Sequence, residues 1–143
     1  MQKTVANIID EKGHETWSIG VDASVYEALE EMAVRNVGAL LVMADGELRG
    51  ILSERDYARK VILVDRGSRE TMVSEIMTSD LVTVSSTTTV ASCMQLMTDA
   101  RIRHLPVVDD GRLVGVISIG DVVRAVIDEQ KFLIDQLEGY IKG

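Results

Sequence analysis

Basic residues are scarce in this chain of 143: fifteen Lys and Arg stand against 23 Asp and Glu, a formal net charge of −8. A field of that sign repels phosphate polymers and anionic membrane surfaces, which disfavours nonspecific nucleic-acid binding. Cysteine is scarcer. Cys93, alone, cannot close an internal disulfide and leaves no set of thiols for structural zinc. The fold therefore rests on packing, no metal is expected, and a reducing compartment, the cytoplasm, is expected. Long hydrophobic runs are also missing. The longest, residues 37–44 with Gly38 inside it, falls far short of the about 20 residues that cross a bilayer. Near the N-terminus Asp10 and Glu11 follow too few apolar residues for a signal peptide, so a soluble protein is expected. The sequence has no Gly-x-Ser-x-Gly, no Walker loop and no nucleophile beside a positioned base, so no catalytic residue is assigned.

What is present is 46% hydrophobic residues, enough for a core, and a length that predicts one compact unit with two smaller sub-units possible. An offset of 65 superimposes the two halves without a gap. Val25 falls on Val90, Met32 on Met97, Leu40 on Leu105, Asp45-Gly46 on Asp110-Gly111, Gly50 on Gly115, Ser53 on Ser118 and Asp56 on Asp121. Such a run marks an internal repeat.

Each copy has the same periods. Val25, Ala28, Leu29, Met32 and Ala33 form the stripe of an amphipathic helix with Ser24 and Glu27 as its capping box, and Val90, Cys93, Met94 and Met97 repeat it from Thr89. Cys93 stands where its twin has Ala28, which predicts a buried small residue. Two short apolar runs about an Asp-Gly turn then read as a hairpin. A second helix starts at Ser53 or Ser118, and an opening strand lies near Ser18-Ile19 or Thr83-Val84. The expected class is α/β (α+β), each copy β-α-β-β-α. The expected boundaries are 1–64 for the first repeat with its N-terminal segment, 65–71 for a linker, 72–128 for the second repeat and 129–143 for a C-terminal helical extension. The extension has no twin, and its apolar face predicts a subunit contact through Val122, Val126, Leu133 and Leu137.

Gly50-Ile51-Leu52-Ser53-Glu54-Arg55-Asp56 and Gly115-Val116-Ile117-Ser118-Ile119-Gly120-Asp121 share one form at a strand-to-helix junction. Two readings stand. Ser with an acid three residues on caps a helix. A hydroxyl and a carboxylate at a helix N-terminus also suit the two hydroxyls of a ribose, with the helix dipole favouring a phosphate beside them.

The paired pattern, with Val73-Ser74-Glu75-Ile76-Met77 ahead of the second copy, resembles the CBS domain family, in which two tandem repeats pack about a pseudo-two-fold axis into a Bateman module. The closest similarity is to its small stand-alone two-repeat proteins. The resemblance implies a non-catalytic regulatory module, usually a homodimer, that binds AMP, ADP, ATP or NAD in clefts between repeats and signals occupancy to a partner protein. By the same resemblance Ser53, Asp56, Ser118 and Asp121 hold ribose, while Ile19, Gly20, Val84 and Ser85 flank the adenine. Arg103 and His104 match a basic pair that contacts phosphate in relatives, against the plainer reading of a solvated strand edge. Gly38 and Ala39 stand at these places in the first copy, so unequal clefts are expected, with Arg55 as a compensating cation. The alternatives are a nucleotide-independent structural or redox adaptor using Cys93, and a weak nucleotide-processing enzyme.

Overall fold

The computed structural model describes residues 2–142. In chain order the elements are α1 (Val5–Lys12), β1 (Ser18–Gly20), α2 (Val25–Arg35), β2 (Ala39–Ala44), β3 (Glu47–Ser53), α3 (Glu54–Tyr57) running into a π-helical stretch Ala58–Ile62, α4 (Val73–Ile76), α5 (Val90–Ala100), β4 (His104–Asp109), β5 (Arg112–Ser118) and α6 (Ile119–Lys142). Contacts divide the chain into two compact units. The first is Thr16–Leu81; the second joins Met1–Glu15 to Val82–Gly143.

In the first unit β1 runs parallel to β2, and β2 turns back antiparallel into β3. Asp45 and Gly46 make the turn at φ 52 and 75, the left-handed pair that matches strand twist in two-residue hairpins. Ser24 accepts from the Glu27 amide at 3.1 Å at the head of α2. Val25, Ala28 and Met32 then face Leu40, Val42 and Leu52 in the core.

The second unit repeats this plan around β4 and β5, with Asp110 and Gly111 at the turn. Its opening strand, however, shrinks to a bridge between Val84 and Val107. The cause is one residue. The Leu41 amide donates to the Trp17 carbonyl at 3.0 Å, tying β1 to β2. Pro106 stands at the position of Leu41 and has no N–H to give. Cys93 is fully buried, as its equivalence with Ala28 predicts.

The lead segments cross over relative to chain order. In the second unit the Val5 amide donates to Thr88 O at 2.8 Å and the Val90 amide to Lys3 O at 2.9 Å. In the first unit the Val73 amide donates to Ala23 O at 2.8 Å and the Val25 amide to Thr71 O at 2.8 Å. Thus α1 packs Val5, Ile8 and Ile9 into the core that holds the second repeat, while α4 packs Val73 and Ile76 into the core of the first. Chain order groups residues 1–15 with the first repeat; their contacts group them with the second.

These lead segments explain the glycine of each Gly-x-x-Ser motif. A Cβ on Gly50 would lie 2.8 Å from the Thr78 carbonyl oxygen and 2.9 Å from Met77 Sδ. On Gly115 it would meet the Ile9 Cδ1 at 2.7 Å. Backbone cannot move aside as a side-chain tip can. Gly50→Ala is therefore expected to cost about 1–3 kcal/mol of overpacking, and Gly115→Ala less, as read from urea midpoints of the two variants. Equal midpoints would contradict this account.

At the far end, Val122 is fully buried in the second unit's core and cannot serve as the subunit contact expected of it. It lies on the face of α6 that joins the second unit's core, where α6 packs with α5, β5 and α1. Val126 is half-buried, and Leu133 and Leu137 are exposed.

Candidate functional site

Each Ser-x-x-Asp motif forms a corner where a strand ends and a helix begins, and in both the capping geometry is realised. The Asp56 amide donates to Ser53 Oγ at 3.1 Å, while Asp56 Oδ2 accepts from the Ser53 amide at 3.0 Å and Ser53 Oγ at 3.1 Å. The Asp121 amide donates to Ser118 Oγ at 3.2 Å, and Asp121 Oδ2 accepts from the Ser118 amide at 2.8 Å. Both side chains are 13% exposed.

The second oxygens differ. Asp56 Oδ1 accepts from Thr78 Oγ1 at 3.3 Å and pairs with Lys60 Nζ at 3.1 Å. Lys60 Nζ also donates to Ile76 O at 2.9 Å, so this corner is closed by its own lead segment. In the second unit Ala125 replaces Lys60, and a cavity of about 220 Å³ opens between α1 and α6, lined in part by Lys3, Asn7, Lys12, Asp121 and Arg124. The cation there comes from α1. Lys12 Nζ lies 2.7 Å from Asp121 Oδ2 and 3.0 Å from Val116 O. Asp121 Oδ1 has Arg124 Nη1 at 3.9 Å, beyond hydrogen-bond distance. Burial pushes the Asp121 carboxyl up, but the bonds from Lys12 and Ser118 outweigh it and hold the group below the usual carboxylate range.

The basic pair of the second repeat stands at the same corner. Arg103 O accepts from the Ile119 amide at 2.8 Å, as Gly38 O does from Glu54 at 3.0 Å. His104 pairs with Ser118 across the hairpin. Burial and the Lys12 charge lower its pKa from the ordinary 6.5 against the pull of Asp121, so at neutral pH the imidazole is uncharged. Cationic character there rests with Arg103, Lys12 and Arg124. Arg55 lies in the first turn of α3, beside Asp56 in sequence.

The expected adenine-flanking residues are dispersed. Ile19 and Gly20 sit on β1, separated from Ser53 by the width of β2, and Ile19 packs against the first unit's core. A Cβ on Gly20 would meet nothing within 4 Å. Val84 is 6% exposed, its side chain taken into the core, so it offers a ligand only backbone. Ser85 is half-buried and its hydroxyl lies 2.9 Å from Thr87 Oγ1.

Sequence reasoning missed Lys12, whose partner is 109 residues away. The available signal was the Lys60-to-Ala125 difference between otherwise matched copies. Desolvation raises the Cys93 thiol to about 11, which leaves no thiolate for redox work near neutral pH. Among the described residues no three His, Cys, Asp or Glu side chains converge to hold a metal, and no helix is long and apolar enough to cross a membrane.

Two repeats of one unit, each with a capped Ser-x-x-Asp corner, coincide with two matches to the model of the CBS domain, at residues 7–63 and 73–128. The chain belongs to the CBS domain family. Among its relatives is the mitochondrial CBS domain-containing protein CBSX3 of Arabidopsis thaliana, 45% identical over 150 residues that span 98% of this chain and 72% of the relative. Among solved structures, a putative signal-transduction protein with CBS domains from Burkholderia ambifaria is 46% identical, with a TM-score of 0.87 over 90% of this chain and 96% of the other. A hexameric CBS-CP12 protein from bloom-forming cyanobacteria is 26% identical, with a TM-score of 0.77 over 86% of this chain and 67% of the other. The fold is thus tandem CBS repeats with a C-terminal helix. CBS proteins of this stand-alone kind are generally regulatory and non-catalytic, and the family often binds nucleotides.

Proposed function

We propose that this CBS protein is a non-catalytic regulator that binds an adenine nucleotide, AMP, ADP, ATP or NAD, through its Ser-x-x-Asp corners and passes occupancy to a second copy or a partner protein. Ser53 with Asp56 and Ser118 with Asp121 grip the ribose hydroxyls, and Arg103, Lys12 and Arg124 meet the phosphates. The supporting observation is Asp121: a carboxylate kept ionised in a half-enclosed place, with one oxygen satisfied by the cap and the other lacking a hydrogen-bond donor among the described residues. A diol needs such an acceptor, and the surrounding cations suit a phosphate attached to it.

The test is thermal unfolding of the full chain against AMP, ADP, ATP, NAD and GMP, with the Asp56→Ala/Asp121→Ala double variant alongside. Adenine nucleotides should raise the Tm of the wild type, GMP should raise it less, and the double variant should show no ligand-dependent rise. An unmoved wild-type Tm at millimolar concentrations of every nucleotide would end this reading.

A further inference from the structure

The two corners share the Ser, the Asp and the cap, yet the acceptor sites of their carboxylates are filled differently. A carboxylate has about four. At Asp56 all are taken. Oδ2 accepts from the Ser53 amide at 3.0 Å and Ser53 Oγ at 3.1 Å, and Oδ1 accepts from Thr78 Oγ1 at 3.3 Å and faces Lys60 Nζ at 3.1 Å. At Asp121 the Ser118 amide and Lys12 Nζ both go to Oδ2, and Oδ1 has Arg124 no nearer than 3.9 Å. Of the donors at Asp56, the two from Ser53 belong to the cap. Thr78 brings a neutral hydroxyl at a long distance and can turn it away. Lys60 brings a charge, and hydrogen bonds between charged groups are the strong ones. Its Nζ is held at a second point by Ile76 O, 2.9 Å away at the end of α4. The backbone is unusual at the same place. Lys60 sits in the π-helical stretch Ala58–Ile62, where the Leu63 amide donates to Ala58 O at 3.0 Å, whereas α6 runs as α-helix through Ala125, the counterpart of Lys60. Such wide turns are rare and concentrate at functional sites.

We propose, resting on the nucleotide reading above, that Lys60 is the specificity-determining residue of the first corner: a tethered competitor that holds the place of a ribose hydroxyl on Asp56 Oδ1. The two corners then fill in order, Asp121 first. A sugar diol entering the first corner takes the carboxylate away from the ammonium, a loss the second corner does not incur, because Ala125 carries no such group. A phosphate on that sugar does not restore the balance, since following it outward also breaks the bond to Ile76 O. Were Lys60 only a fastener between α4 and the corner, its removal would lower stability and leave the binding constants alone.

The test is calorimetric titration of the full chain with AMP and with ATP, comparing the wild type with two variants. Lys60→Ala copies the second repeat, and Lys60→Met keeps the stem but removes the charge. The Lys60 side chain is 45% exposed, so both should keep the cooperative thermal transition of the wild type. The wild type should show one tighter and one weaker site, the tighter lost in Asp121→Ala. Both Lys60 variants should tighten the weaker site about tenfold, the lower end of what a hydrogen bond to a charged group is worth, and leave the tighter site in place. Adding Asp56→Ala should remove that gain. A weaker site that is unchanged or weakened further, or two equal sites in the wild type, would overturn the competitor role while nucleotide binding stands. No heat from either nucleotide in any form of the chain would end both.

Discussion

Deleting residues 1–13 is expected to unfold the second repeat far more than the repeat that these residues precede. Val5, Ile8 and Ile9 are 0, 6 and 4% exposed in the second unit's core. Burial of such side chains contributes about 1.5–3 kcal/mol each, roughly 5–9 kcal/mol for the three as an upper figure. Backbone bonds are lost too, because the Val90 amide at the head of α5 donates to Lys3 and the Thr88 carbonyl accepts from Val5. A whole domain is stable by only about 5–15 kcal/mol, so the loss is decisive. Hydrogen exchange should show β4 and β5 amides losing protection while β2 and β3 keep most of theirs. Val73→Asp, which puts a charge into the other core, should reverse the pattern. Loss centred on β2 and β3 in the deletion would overturn the crossed assignment of lead segments.

That crossing shows where the sequence ran out. The repeats themselves were legible, because α2 and α5, the two hairpins and the caps are built from contacts within about thirty residues, and each local signal appears twice. Helix α1 was not legible. It has one short apolar face, and the surface that buries it lies more than seventy residues further on. The opening strand of the second copy was over-read for a local reason, since the alignment treats Pro106 as one more residue of the hairpin while its missing N–H costs the ladder a rung. Val122 was misread because a stripe shows which residues share a face and not which element that face meets. At the corners, the helix-capping role of Ser53, Asp56, Ser118 and Asp121 was readable from spacing, while their part in holding a ribose came from the family resemblance. Their inequality was expected from Arg103 and His104 against Gly38 and Ala39, yet the structure adds a larger contrast in Lys60 against Ala125 and Lys12.

That contrast carries an expected result under the proposed function: Asp121→Ala should erase more of the nucleotide-induced rise in Tm than Asp56→Ala. A carboxylate offers about four acceptor sites. At Asp56 the Ser53 amide, Ser53 Oγ and Thr78 Oγ1 donate to them and Lys60 is paired with Oδ1, so an incoming ribose must displace a protein donor. At Asp121 the Ser118 amide and Lys12 both go to Oδ2, and Oδ1 can take a sugar hydroxyl with nothing to displace. The neighbouring cavity, open because Ala125 is short, gives that hydroxyl a way in. Ligand at a hundred times its Kd adds about 2.7 kcal/mol to stability, a rise of roughly 5–11 °C at about 2–4 °C per kcal/mol for a chain of this length. Each variant also weakens a helix cap by about 1 kcal/mol. The quantity to compare is therefore the shift on adding ligand and not the bare Tm. Equal losses in the two variants would mean that the free oxygen of Asp121 gives it no advantage. A larger loss in Asp56→Ala would mean that Lys60 and Thr78 hold that carboxylate ready for the sugar instead of occupying its place.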